Sequence, residues 1–172
     1  MFLFSSSFLF IGVWEGRNGA RYEGDYYEDQ RHGYGIWSNI KGVTLKGVFL
    51  HGLLEGEGEE INSNGHGGYI GTFLKGKYHG YGTLIGFQSP LDKYSGHFQH
   101  GKREGKGEQS YENGSRYIGH WFNDTYEGAG ELYGCDQHFL NVYRGGFVNG
   151  IPHGHGSMRW NDQSGSRAMV SI

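Results

Sequence analysis

Apolar and polar residues interchange every second position over short runs, as in Tyr69-Ile-Gly-Thr-Phe73 and Tyr94-Ser-Gly-His-Phe98. A period of two marks a strand with one covered face. No stretch shows the 3.6-residue period of an amphipathic helix. The runs recur along the chain. Segments begin at Tyr22, Leu45, Tyr69, Tyr94, Tyr117 and Tyr143, spaced by 23, 24, 25, 23 and 26 residues. A regular period of this length indicates a repeat array.

With the first residue of each segment as position 1, glycine fills three places. Position 3 is Gly24, Gly47, Gly71, Gly96, Gly119 and Gly145; position 12 is Gly33, Gly56, Gly80, Gly105, Gly128 and Gly154. Position 14 is Gly35, Gly58, Gly82, Gly107, Gly130 and Gly156. Position 5 is aromatic throughout: Tyr26, Phe49, Phe73, Phe98, Trp121 and Phe147. Strand alternation puts ring, glycine and ring of positions 1, 3 and 5 on one side. It likewise predicts that positions 12, 14 and 16 share a side, position 16 being Trp37, Leu84, Leu132 or Met158, with Glu60 and Gln109 as exceptions. A ring facing glycine can lie flat on main chain, which explains glycine where strand propensity disfavours it.

Two polar turns per period close each hairpin and join it to the next. Asn18-Gly19, Asn64-Gly65 and Asn113-Gly114 fall between repeats, and Asn-Gly predicts type I′ turns there. The longer inserts, 88–92, 135–141 and 162–166, occupy the same joint. The expected fold is all-β: an elongated single-layer antiparallel meander of tandem hairpins with about 13 strands, about 60 Å long at ~4.8 Å per strand.

Residues 1–11, MFLFSSSFLFI, form an atypical start. They are too short to span a bilayer and lack the basic flank of a secretory signal. Gly12-Val-Trp14 matches Gly35-Ile-Trp37 one period earlier. The array therefore fills 12–172: a partial repeat over 12–21, six full repeats, and a truncated seventh from 169. Both ends read as cuts through a repeat, so a piece of a longer protein is expected, with end strands that invite pairing or self-association.

Tyr69-Ile-Gly-Thr-Phe followed by His79-Gly-Tyr-Gly, and Tyr143-Arg-Gly-Gly-Phe followed by His153-Gly-His-Gly, resemble the MORN (membrane occupation and recognition nexus) repeat, as do the other four segments. Leu45 departs from the usual aromatic first position. Similar arrays occur in junctional membrane proteins, ciliary and sperm proteins, alsin-like exchange factors, phosphoinositide kinases, a histone methyltransferase and parasite cytoskeletal scaffolds. The resemblance implies a β ribbon used for protein binding, self-association or membrane contact, in the cytoplasm and in a cytoskeletal or ciliary setting.

Composition sharpens this reading. Thirty-four of the 172 residues are glycine, yet 13 Tyr, 11 Phe and 4 Trp supply the bulk that a disordered glycine-rich chain lacks. The net charge of −3, with interspersed signs, offers no basic stripe for nucleic acid. Cys135 is the single cysteine, which excludes an intrachain disulfide and makes a reducing compartment the default. The Gly-x-Gly pairs lie inside strands, not between a strand and a helix, so they are not phosphate loops. No nucleophile–base constellation appears, and no cofactor or enzymatic activity is expected. At position 11, His32, His79 and His153 alternate with Glu55, Glu104 and Glu127, which reads as a polar turn edge and not as a metal site.

Two candidate surfaces remain. A single sheet cannot bury its own ring-bearing face, so Tyr22, Tyr26, Phe49, Tyr69, Phe73, Tyr94, Phe98, Tyr117, Trp121, Tyr143 and Phe147 are expected to line a partly exposed groove for a helix, an extended peptide or a second copy. The alternative is a peripheral membrane module that binds anionic phospholipid through Arg31, Lys75, Lys77, Lys102 and Arg103, which cluster near the intra-repeat turns. Glu55, Glu57, Glu59 and Glu60 interrupt that set.

Overall fold

A computed structural model describes residues 9–63, 65, 67–86, 88–136, 139–161 and 167–171. Residues 1–8 of the atypical start, Asn64 of one Asn-Gly pair and the 162–166 insert lie outside them. The described residues form one antiparallel sheet of 14 strands in strict sequence order. Strand β1 is Phe10–Glu15. Six hairpins follow: β2 Arg21–Tyr27 with β3 Gln30–Ser38, β4 Thr44–Leu50 with β5 Leu53–Ile61, β6 Gly68–Leu74 with β7 Lys77–Ile85, β8 Lys93–Gln99 with β9 Lys102–Ser110, β10 Arg116–Phe122 with β11 Thr125–Asp136, and β12 Phe139–Val148 with β13 Ile151–Asn161. Strand β14, Arg167–Ser171, is the last described strand and pairs with β13. The sheet is all-β and single-layered, as expected, with one strand more than the expected 13.

Glycine faces glycine across every hairpin: Gly24↔Gly35, Gly47↔Gly58, Gly71↔Gly82, Gly96↔Gly107, Gly119↔Gly130 and Gly145↔Gly156. Just beyond each pair the register slips, so a bulge sits at the same place in all six repeats. Its cause is the position 12 glycine, which is left-handed in every repeat, with φ between 58° and 74°. Only glycine adopts that region without strain. The bulge corrects the simple alternation drawn from sequence, because position 12 does not continue the face of positions 14 and 16. Position 10 takes that place.

The turns also differ from expectation. Both central residues have positive φ in the turn inside each repeat: Glu28-Asp29, His51-Gly52, Lys75-Gly76, His100-Gly101, Asn123-Asp124 and Asn149-Gly150. These carry the type I′ signature that matches strand twist. Between repeats the glycine is left-handed at Gly19, Gly42, Gly65 and Gly114, and the asparagines Asn18 and Asn113 before two of them are not. The glycine N–H donates to the carbonyl three residues back, Gly19 to Gly16 at 2.9 Å and Gly114 to Tyr111 at 2.9 Å. A four-residue turn closed by a left-handed glycine is a three-residue-type hairpin loop, so Asn18-Gly19 and Asn113-Gly114 are not type I′ turns. Neighbouring intra-repeat turns are stitched together. The N–H of position 8 donates to the position 10 carbonyl of the preceding repeat, at 2.8 to 3.1 Å in five successive pairs beginning with Gly52 to Arg31.

Candidate interaction face

The face is built on the tyrosine that opens five of the six repeats. Each ring lies across its own pair of glycines. A Cβ placed on Gly82 would sit 2.3 to 2.5 Å from Tyr69, and one on Gly107 2.3 to 2.6 Å from Tyr94. The same encounter holds for Gly35 with Tyr22, Gly130 with Tyr117 and Gly156 with Tyr143. Flat on bare backbone, each hydroxyl reaches the carbonyl of position 4 and donates to it: Tyr22 to Asp25 at 3.0 Å, Tyr69 to Thr72 at 3.0 Å, Tyr94 to His97 at 2.9 Å, Tyr117 to His120 at 2.9 Å and Tyr143 to Gly146 at 3.1 Å. Burial raises the Tyr22, Tyr69 and Tyr117 phenols to about 12, because a phenolate there would lose its water.

Position 5 rings stand edge-on between these tyrosines. Tyr94 meets Phe98 of its own repeat at 5.0 Å and Trp121 of the next at 5.1 Å; Tyr117 meets Trp121 at 5.4 Å and Phe147 at 5.2 Å. Such perpendicular pairs use the ring quadrupole well. The outcome corrects the expected exposure of the groove. Tyr22, Phe49, Tyr69, Phe73, Tyr94, Phe98, Tyr117, Trp121, Tyr143 and Phe147 are 0 to 4% exposed, and only Tyr26 is half-buried. Glycines and perpendicular rings let neighbours cover one another, so these residues are the core and line no open groove.

The accessible layer above them comes from positions 10 and 16. Tyr78 stacks on Tyr69 at 3.9 Å and Tyr126 on Tyr117 at 3.7 Å, both within about 11° of parallel. Leu54 fills the same place in repeat two, and Arg31 and Arg103 fill it in repeats one and four. Position 16 adds half-buried Trp37, Leu84 and Leu132, and fully buried Gln109. Sequence reading missed position 10, since Arg, Leu, Tyr and Pro share no pattern and the bulge hides their common side.

Of the basic residues considered for lipid, Arg31 and Arg103 turn onto this aromatic face and away from the turn edge. Arg31 donates to the Gly52 carbonyl at 2.6 Å and sits 5.3 Å from the Phe49 ring; Arg103 sits 4.2 Å from the Trp121 ring and 3.1 Å from the Asp124 carboxylate. Lys75, Lys77 and Lys102 are exposed at the edge, where Lys102 donates to Asn123. That edge explains the His/Glu alternation. A position 11 glutamate caps the next repeat's turn: Glu55 accepts from Lys75 N at 2.8 Å, Glu104 from Asn123 N at 3.1 Å and Glu127 from Asn149 N at 3.1 Å. Two of the position 11 histidines meet another imidazole instead, His32 with His51 at 6.3 Å and His79 with His100 at 5.5 Å. Among the described residues no group of three or more His, Cys, Asp or Glu could hold a metal ion, and no helix is long and apolar enough to cross a membrane.

The opposite face is polar with scattered apolar residues. Arg144 pairs with Glu131 at 3.0 Å and Arg116 with Glu108 at 3.3 Å, and Tyr34, Ile70 and Tyr81 are exposed on the earlier strands of this face.

Comparison with known proteins agrees with this architecture. Alsin from Rattus norvegicus is 36% identical over 98 residues, and alsin from Homo sapiens 34% over 97. Each match covers 53% of this chain and 6% of the relative, so the chain corresponds to a small part of those proteins. A family model for the MORN repeat matches residues 22–42, 46–67, 69–86, 94–116, 117–139 and 143–165. Bare glycine pairs, flat tyrosines and six hairpins in phase make this chain a member of the MORN repeat family.

Proposed function

We propose that the chain is a non-catalytic scaffold that holds a protein segment along the aromatic face, on the layer formed by positions 10 and 16. One observation carries this reading: the sheet has no second layer among the described residues, and Trp37, Tyr78, Leu84, Tyr126 and Leu132 of repeats one, three and five are half-buried on this face with no described element above them. Apolar side chains spaced along one open face suit a helix or an extended peptide. The ten buried core aromatics act beneath it, by fixing where those side chains stand. A cytoskeletal or ciliary assembly is the setting suggested by the family resemblance.

The test pairs two double variants of the full chain. Leu84→Glu with Leu132→Glu charges the proposed face, and Ile70→Glu with Tyr81→Glu charges the opposite one. The first should abolish capture of partners identified by mass spectrometry while circular dichroism remains β-type, and the second should leave capture intact. The reverse pattern would move the binding surface to the other face. Salt-sensitive co-sedimentation with anionic vesicles, lost on Lys75→Gln with Lys77→Gln, would favour the membrane reading instead.

A further inference from the structure

Position 10 is arginine twice, and the two sites differ in one respect. In repeat four, Arg103 donates through Nη2 to the Asp124 carbonyl at 3.0 Å, and its Nε lies 3.1 Å from the Asp124 carboxylate. In repeat one, Arg31 makes the matching bond, Nη2 to the Gly52 carbonyl at 2.6 Å. Gly52 occupies the place of Asp124 and brings no carboxylate. Among the described residues no acidic oxygen lies within ion-pair distance of Arg31. Burial alone depresses its pKa from the ordinary arginine value. A half-buried cation without a counter-ion is costly, and a carboxylate delivered to it would gain a charge-assisted, fork-shaped contact.

The surroundings have room for one. Arg31 lines a cavity of about 350 Å³ together with Trp14, Tyr26, Trp37, Asp29 and Gln30. Trp14 is 48% exposed there, and the lining is aromatic apart from the guanidinium, Gly52, Gln30 and Asp29, whose carboxylate stands beyond ion-pair distance of Arg31. The geometry points to an anionic subsite at the β1–β3 end of the aromatic face, which receives an Asp or Glu side chain of a partner peptide on Arg31 while an adjacent large apolar residue of that peptide packs between Trp14 and Trp37. This rests on the aromatic face being the docking surface, and it specifies the chemistry of what docks: an acidic residue beside an aromatic or aliphatic one.

The test is a selection from randomised peptides displayed on phage, against the full chain and, in parallel, against Arg31→Met and Arg31→Lys. Methionine keeps apolar cover over Tyr22 and Phe49 without the charge; lysine keeps the charge without the fork. Selected peptides should carry Asp or Glu next to Phe, Trp or Leu. Replacing that acid by its amide should weaken binding about tenfold, a typical size for a charged hydrogen-bonded contact. Arg31→Met should weaken the acidic peptides by a similar factor and abolish the acid–amide difference, and Arg31→Lys should retain part of that difference. Peptides without acidic enrichment that bind Arg31→Met as well as the parent would overturn the subsite and leave the docking face standing. Peptides indifferent to Leu84→Glu with Leu132→Glu, or the selection of none, would overturn the docking face and the subsite with it.

Discussion

Repeats two and five fill the same space in different ways. In repeat five, Tyr117 covers Gly119 and Gly130, donates to the His120 carbonyl, and is itself covered by Tyr126 and flanked by Trp121 and Phe147. Repeat two opens with Leu45, which carries no ring, and Leu54 reaches in from position 10 instead. It is 1% exposed, with its methyl groups against Gly47 and Gly58. What the glycine pair demands is therefore bulk over bare main chain, whichever strand supplies it. The ring adds two things that leucine cannot: a hydroxyl anchored to the position 4 carbonyl of its own strand, and edge-to-face contact with the rings on both sides. Among the described residues no ring pair joins Phe49 to Phe73, so the aromatic ladder is interrupted at repeat two.

The largest effect that sharpens this contrast is expected at Leu54. Leu54→Ala should destabilise the chain by about 3 kcal/mol in urea denaturation, since it empties a fully buried site that no ring can fill. A loss below ~1 kcal/mol would mean that Leu45 takes over the space. Tyr117→Phe should cost about 1 kcal/mol, the usual value of a partly buried hydroxyl–carbonyl bond, and the β-type circular dichroism should be unchanged.

Alkaline pH separates the repeats more gently. A phenol raised to about 12 in the folded state binds its proton more tightly there than in the unfolded chain, where it titrates near 10. Its contribution is complete below pH 10 and is lost as pH climbs from 10 through about 12. Stability should thus fall across that window, and Tyr117→Phe should make the fall shallower, as followed by denaturant midpoints at each pH. Repeat two, which opens with Leu45, adds nothing to this slope at that position.

Much of the fold was legible in the sequence because its cause is local. The spacing of Tyr22, Gly24, Tyr26 and their counterparts sets strand, face and period together. The site was less legible, for two physical reasons. The left-handed glycine at position 12 introduces a bulge that alternation does not foresee, so Arg31, Tyr78, Arg103 and Tyr126 were read as turn-edge residues or passed over. The degree to which perpendicular rings cover each other depends on twist and register, so core aromatics such as Phe73 and Trp121 were expected at an open surface. The basic cluster divides for the same reason: Arg31 and Arg103 sit over aromatic rings, while Lys75, Lys77 and Lys102 stand at the turn edge.

The central claim is that a position 14 glycine exists to seat the tyrosine of its own repeat. A double-mutant cycle between Gly130→Ala and Tyr117→Leu, read by urea denaturation, tests it most directly. A methyl on Gly130 would stand 2.5 to 2.8 Å from the Tyr117 ring. Gly130→Ala alone should therefore cost about 3 kcal/mol, while in the Tyr117→Leu background, where a flexible side chain can withdraw as Leu54 could, it should cost about 1 kcal/mol. Additive losses, agreeing within ~0.5 kcal/mol, would contradict the account.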